Sequence, residues 1–83
     1  MNGLCGLYAE VTLYPGSSVG WHVHHGEEET YYILSGAGEY NDNGRIRRVF
    51  PGDVTVTFDG QGHELRPAGK EPLVFIALIL KKG

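Results

Sequence analysis

Turn signals arrive along this chain at short, nearly even intervals, and that spacing limits the fold more than any other feature. They are Tyr14-Pro15-Gly16, His25-Gly26, Ser35-Gly36, Asn41-Asp42-Asn43-Gly44, Pro51-Gly52-Asp53, Asp59-Gly60-Gln61-Gly62 and the stretch 67–72. Between them lie short segments in which β-branched and aromatic residues recur, at 7–13, 19–24, 29–34, 38–40, 45–50, 54–58, 63–66 and 73–80. Asn41-Asp42-Asn43-Gly44 is a strong hairpin signal. The thirteen glycines have no collagen-like period and read as turn residues. About eight short strands with no convincing helix predict an all-β fold, a small antiparallel barrel or sandwich.

A chain of 83 residues fits one domain, taken as residues 1–83, and buries a limited core. A metal ion or a subunit interface would add stability. The hydrophobic share of 41% argues against disorder. Ten acidic against seven basic residues give a net charge of −3, which argues against a nucleic-acid partner. The one basic cluster, Arg45, Arg47 and Arg48, reads as a solvated strand rather than a phosphate site. The single cysteine, Cys5, excludes an internal disulfide, fits a reducing compartment and reads as a small apolar core residue. Residues 1–7 lack a signal-peptide pattern, and the longest apolar run, 73–80, falls far short of the roughly 20 residues of a membrane helix. The expectation is a soluble, cytoplasmic protein with no membrane partner.

The run 73–80 does not alternate, whereas a strand with one wet face should. Both of its faces need cover. A second copy of the chain is the simplest cover, so the pattern predicts a homodimer with this strand at or near the interface. The competing reading buries the strand beneath the chain's own N-terminal residues.

Three of the four histidines lie within four residues. His22 and His24 are two apart on a predicted strand and so share a face, while His25 points away or sits in the turn. Two imidazoles this close repel when both are protonated, and a divalent ion removes the conflict by binding both as neutral ligands. A His-x-His pair beside Glu27, Glu28 and Glu29 therefore reads as a metal site, set against a solvated His/Glu-rich loop. Glu29 begins the 29–34 strand, which holds it more rigidly than a turn would. If it faces inward, Tyr31 and Ile33 share its face, Glu28 faces out, and Glu27 and Glu28 are surface charges.

The run Gly16-x5-His22-x-His24-x4-Glu29-x6-Gly36 resembles the first conserved motif of the cupin superfamily at every spacing. Gly52, Gly60 and His63 match positions of the second motif. Phe58 stands where that motif has proline, and Pro67 where it has asparagine. The two motifs span 16–36 and 52–67. The resemblance implies a small single-domain cupin, a jelly-roll barrel, and carries over His22, His24, Glu29 and His63 as ligands of one divalent metal.

Three histidines and a carboxylate suit Mn, Fe, Co, Ni, Cu or Zn without choosing among them. On an octahedral ion they would leave two positions for a small-molecule ligand. Tyr31, on the face of Glu29, reads as a core tyrosine or as a hydrogen-bond donor to substrate. One of Arg47 and Arg48 should face inward and could clamp a carboxylate. Val49 favours Arg47, the substrate candidate carried forward, while Ile46 and Phe50 favour Arg48. Trp21, adjacent to His22, should face the opposite side and pack at an interface. Two functions remain: a metal-dependent enzyme on a small oxygen-rich substrate, such as a carboxylate or sugar, of dioxygenase, decarboxylase or isomerase type; or a metal-dependent binding module without turnover.

Overall fold

The computed structural model describes residues 5–23, 26–58 and 60–81, with the backbone alone at 5–7, 22, 23 and 81. Eight strands form: β1 (Cys5–Leu13), β2 (His22–Val23), β3 (Glu27–Ser35), β4 (Gly38–Asp42), β5 (Arg45–Val49), β6 (Val54–Thr57), β7 (Gly62–Pro67) and β8 (Leu73–Lys81). No helix occurs among the described residues. Two antiparallel four-stranded sheets, ordered β1-β8-β3-β6 and β2-β7-β4-β5, face each other in the expected all-β jelly-roll arrangement.

The turns follow from local chemistry. Asn43 and Gly44 both take positive φ, 52° and 99°, as a two-residue hairpin turn between β4 and β5 requires. The Asn41 side chain accepts a 2.9 Å hydrogen bond from the Gly44 amide. Between β5 and β6, the Phe50 amide donates to the Asp53 carboxylate at 2.8 Å, and the Asp53 amide returns to the Phe50 carbonyl. Gly36 closes β3 at φ +78°, and a Cβ there would collide with the Pro72 carbonyl. Only glycine allows the β3 end and the loop before β8 to approach so closely.

Several strand boundaries differ from expectation, and two of the differences bear on the histidine and glutamate cluster. Among the described residues of the 19–24 segment, only His22–Val23 join the ladder. Gly20 breaks it, with φ +77° and its amide bonded to the Ser18 hydroxyl, although the Val19 amide still reaches the Leu65 carbonyl. In contrast, β3 starts two residues early and takes in all three glutamates. Glu27 and Glu28 are half-buried strand residues, opposite Lys81 and Leu80, rather than fully exposed charges.

The core lies between the sheets. Tyr31 and Ile33 from β3, and Leu73, Phe75 and Ala77 from β8, meet Tyr40, Val49 and Leu65 from the other sheet. β8 therefore alternates in burial though not in composition: Leu73, Phe75 and Ala77 are inside, and Val74, Ile76 and Leu78 are half-buried outside. β1 runs beside β8 in the plane of the sheet rather than over it, so the reading that covers this strand with the N-terminal segment does not hold for the described residues.

Candidate metal centre

The site is built from one row of each sheet. In the first sheet, Glu29 of β3 pairs with Thr57 of β6. In the second, His22 of β2 pairs with His63 of β7, and His63 pairs with Asp42 of β4. The His63 Nε2 lies 2.8 Å from the Glu29 Oε1 across the gap. Both are deeply buried, Glu29 at 5% exposure and His63 at 0%. A carboxylate and an imidazole withdrawn from water together are costly unless each is well partnered.

Strand parity works as expected on β3. Glu29, Tyr31 and Ile33 face inward, and Tyr32 and Leu34 face outward. Tyr31 stacks on His63 with ring centroids 5.1 Å apart and planes 7° from parallel, and Phe75 packs on it at 4.9 Å. Burial, and then the adjacent Glu29 carboxylate, push the Tyr31 phenol far above its ordinary range. Tyr31 thus stays neutral: a hydrogen-bond donor and not a base. It is both a core residue and a wall of the site.

Of the other expected site residues, His22 has its backbone placed opposite His63, and its side chain is outside the description; His24 and His25 lie outside the described residues. The arginine alternative resolves through register. Arg47 pairs with buried Tyr40 and shares its face, and its guanidinium carbon sits 5.7 Å from the Tyr40 ring centre. Arg48 pairs with Glu39 on the other face. Because β5 is a sheet edge, Arg47 remains exposed at the rim rather than enclosed. Trp21 packs its ring against Gly62 of its own chain, where any Cβ would clash, and leaves about half its surface exposed.

Sequence reasoning missed Tyr40, Thr55 and Thr57. Thr57 Oγ1 lies 2.7 Å from the His63 Nδ1, the Tyr40 hydroxyl lies 3.1 Å from the same atom, and the two hydroxyls are hydrogen-bonded to each other. Burial raises the Tyr40 phenol too, partly offset by the hydroxyls of Thr57 and Thr55. The alternation Val54-Thr55-Val56-Thr57 carried the signal, since one parity is wholly hydroxylic. It was obscured because the valines, rather than the threonines, would ordinarily be put inside.

A buried carboxylate facing an imidazole, with a second histidine position in the same cross-strand row, is a donor set that fits a divalent transition metal. The comparisons with known proteins agree on the family. The Cupin domain model matches residues 9–79. The chain is 44% identical over 80 residues to a protein of Thermotoga maritima named an oxalate-binding protein, covering 96% of this chain and 66% of that protein. This chain thus spans just under two thirds of that relative's length. A crystal structure from the same organism, described as a predicted oxalate decarboxylase, superposes with a TM-score of 0.91 at 44% identity, covering 94% of this chain and 68% of that one. An uncharacterized conserved protein from Klebsiella pneumoniae with a double-stranded β-helix domain superposes at 0.83 with 27% identity, covering 92% and 63%. The matched residues run from β1 to β8 through both sheets and both motifs, and on that ground the chain belongs to the cupin domain family.

Proposed function

We propose that this chain holds one divalent metal through Glu29, His63, His22 and His24, and that it binds a small carboxylate of the oxalate class at that metal. The single observation that carries the reading is the Glu29–His63 pair, buried and 2.8 Å apart. The register of His22 against His63 supports it. The carboxylate class draws on the names of the two Thermotoga maritima relatives, one binding oxalate and one described as a decarboxylase. A bound divalent ion would supply positive charge for a carboxylate and Lewis acidity. Tyr31 would supply a neutral donor, and Arg47 at the rim a charge-assisted contact.

Binding is favoured over turnover because the described groups around the pair are neutral hydroxyls. Tyr31 and Tyr40 are both held protonated, so neither serves as a general base near neutral pH. Calorimetric titration with oxalate, with and without Mn²⁺ or Zn²⁺, tests the reading. Oxalate heat that depends on metal and disappears in His63→Ala is expected. Metal-independent oxalate binding contradicts the reading, and release of CO2 from oxalate would replace binding with decarboxylation.

The homodimer reading draws on the outer face of the β1-β8-β3-β6 sheet. Tyr8, Tyr32, Leu34, Val54, Val56 and Phe58 are all well exposed there or at its margin. Together they expose on the order of 600 Å², at the upper end for a monomer patch and near the roughly 800 Å² per partner of a standard interface. A second copy of this chain, packed through this face, is the proposed cover. Sedimentation giving a monomer of the 9.1 kDa chain at micromolar concentration would overturn it.

A further inference from the structure

We infer that Thr57 and Tyr40, backed by Thr55, form a hydroxyl relay that holds the His63 Nδ1 and sets which ring nitrogen carries the proton. The inference rests on the metal reading of Glu29 and His63 for its purpose, but not for its geometry. Thr57 Oγ1 and the Tyr40 hydroxyl both lie within hydrogen-bond distance of Nδ1 and bond to each other, and Tyr40, Thr57 and His63 are fully buried.

Proton counting gives the relay two directions. With Nδ1 bare, Tyr40 donates to Thr57 and Thr57 donates to Nδ1. The ring proton then sits on Nε2 and is donated to the Glu29 Oε1 at 2.8 Å. With Nδ1 protonated, the ring donates to Thr57 and Thr57 donates to Tyr40. The Tyr40 proton now needs a new acceptor. The Thr55 hydroxyl shares the inner face of β6 with Thr57, and its oxygen is buried with no partner at hydrogen-bond geometry. A buried hydroxyl left unsatisfied calls for an explanation, and acceptance from Tyr40 in the second direction provides one.

Only the second direction frees the Nε2 lone pair beside Glu29, which is the form a metal ligand requires. The ring carries one proton throughout: it leaves Nε2, and another arrives at Nδ1 by exchange with water. Thr57 and Tyr40 are positioning residues, acting on the metal through His63. The inverted alternation of β6, hydroxyls inside and valines outside, is accounted for by this role.

Nitrogen-15 NMR of histidine-labelled protein at about pH 8, above the ordinary imidazole range, reads the relay directly. In the metal-free protein, His63 is expected protonated at Nε2, with an Nδ1 resonance shifted by hydrogen bonding. Thr57→Val should move that resonance toward the free-acceptor position, Tyr40→Phe less so, and Thr57→Ser should leave it in place. On adding Zn²⁺, the proton should appear on Nδ1. Thr57→Val should weaken Zn²⁺ about 10–100-fold, with Thr57→Ser restoring most of the loss. An Nδ1 resonance indifferent to Thr57→Val and Tyr40→Phe overturns the relay whatever the metal does. Wild-type protein that ignores Zn²⁺ but shows the expected Nδ1 shifts overturns the metal reading and leaves the relay standing. Zn²⁺-loaded His63 protonated at Nε2 overturns the relay's proposed direction.

Discussion

Inside the barrel, Glu29 of β3 and Thr57 of β6 are polar and buried; on the outer face of the same sheet, Tyr32, Val54 and Val56 are apolar and exposed. The residues alternate along single strands, so one backbone carries both departures from ordinary burial. The inner departure is expensive unless the polar atoms are partnered, and hydrogen bonds and the Glu29–His63 contact partner them. The outer departure calls for cover from outside the described chain. An inside-out strand pair is therefore informative twice, once about a site and once about a surface.

The comparison can be broken most forcefully in the core that separates its two terms. Phe75→Ala should cost about 3–5 kcal/mol, whereas exposed Val54→Ala in dilute protein should stay within about 1 kcal/mol, both by urea denaturation. Equal costs would mean that the inner and outer faces are misassigned. His63→Ala comes next. It removes the 2.8 Å partner of a buried carboxylate and should cost about 3 kcal/mol near neutral pH. Urea denaturation of the variant beside the wild-type chain checks it, and an unchanged midpoint would contradict the pairing.

The outer face is tested by Val56→Lys, which sets an ammonium among apolar neighbours. Sedimentation should show the dimer constant weakened about 100-fold or more, with little change in the melting temperature of the dissociated chain. Unchanged association would move the interface elsewhere. The smallest expected effect concerns Tyr31. Its pKa is raised on folding, so its contribution to stability is complete below the unfolded value near 10 and declines as pH rises above it. Tyr31→Phe should flatten that alkaline decline, and melts above pH 10 of similar slope in both proteins would contradict the assignment.

Much of this was legible from local pattern. Turn chemistry placed eight strands, and the period of two chose Glu29 over Glu28 and put Tyr31 and Ile33 beside it. The choice between Arg47 and Arg48 was not local, because it depends on which β4 residue each opposes, and register against Tyr40 decides it. Gly20's left-handed conformation shortened β2 in a way that composition does not reveal. Tyr40 looked like any strand tyrosine. It gains its role from Thr57 and His63, which are 17 and 23 residues away in sequence and adjacent only after the sheets close. Non-alternating composition in β8 hid its alternation in burial: within the single chain the inner residues are buried, and the outer ones are only half so.

The central claim is that the buried Glu29–His63 pair belongs to a metal site. Titration of metal-stripped protein with Mn²⁺ and with Zn²⁺, followed by melting temperature and calorimetry, tests it most directly. The account predicts saturable binding of one ion per chain and a rise in melting temperature that grows with metal concentration, both abolished in Glu29→Gln. Absence of binding and of any rise in the wild-type protein, or binding that Glu29→Gln leaves intact, would contradict it.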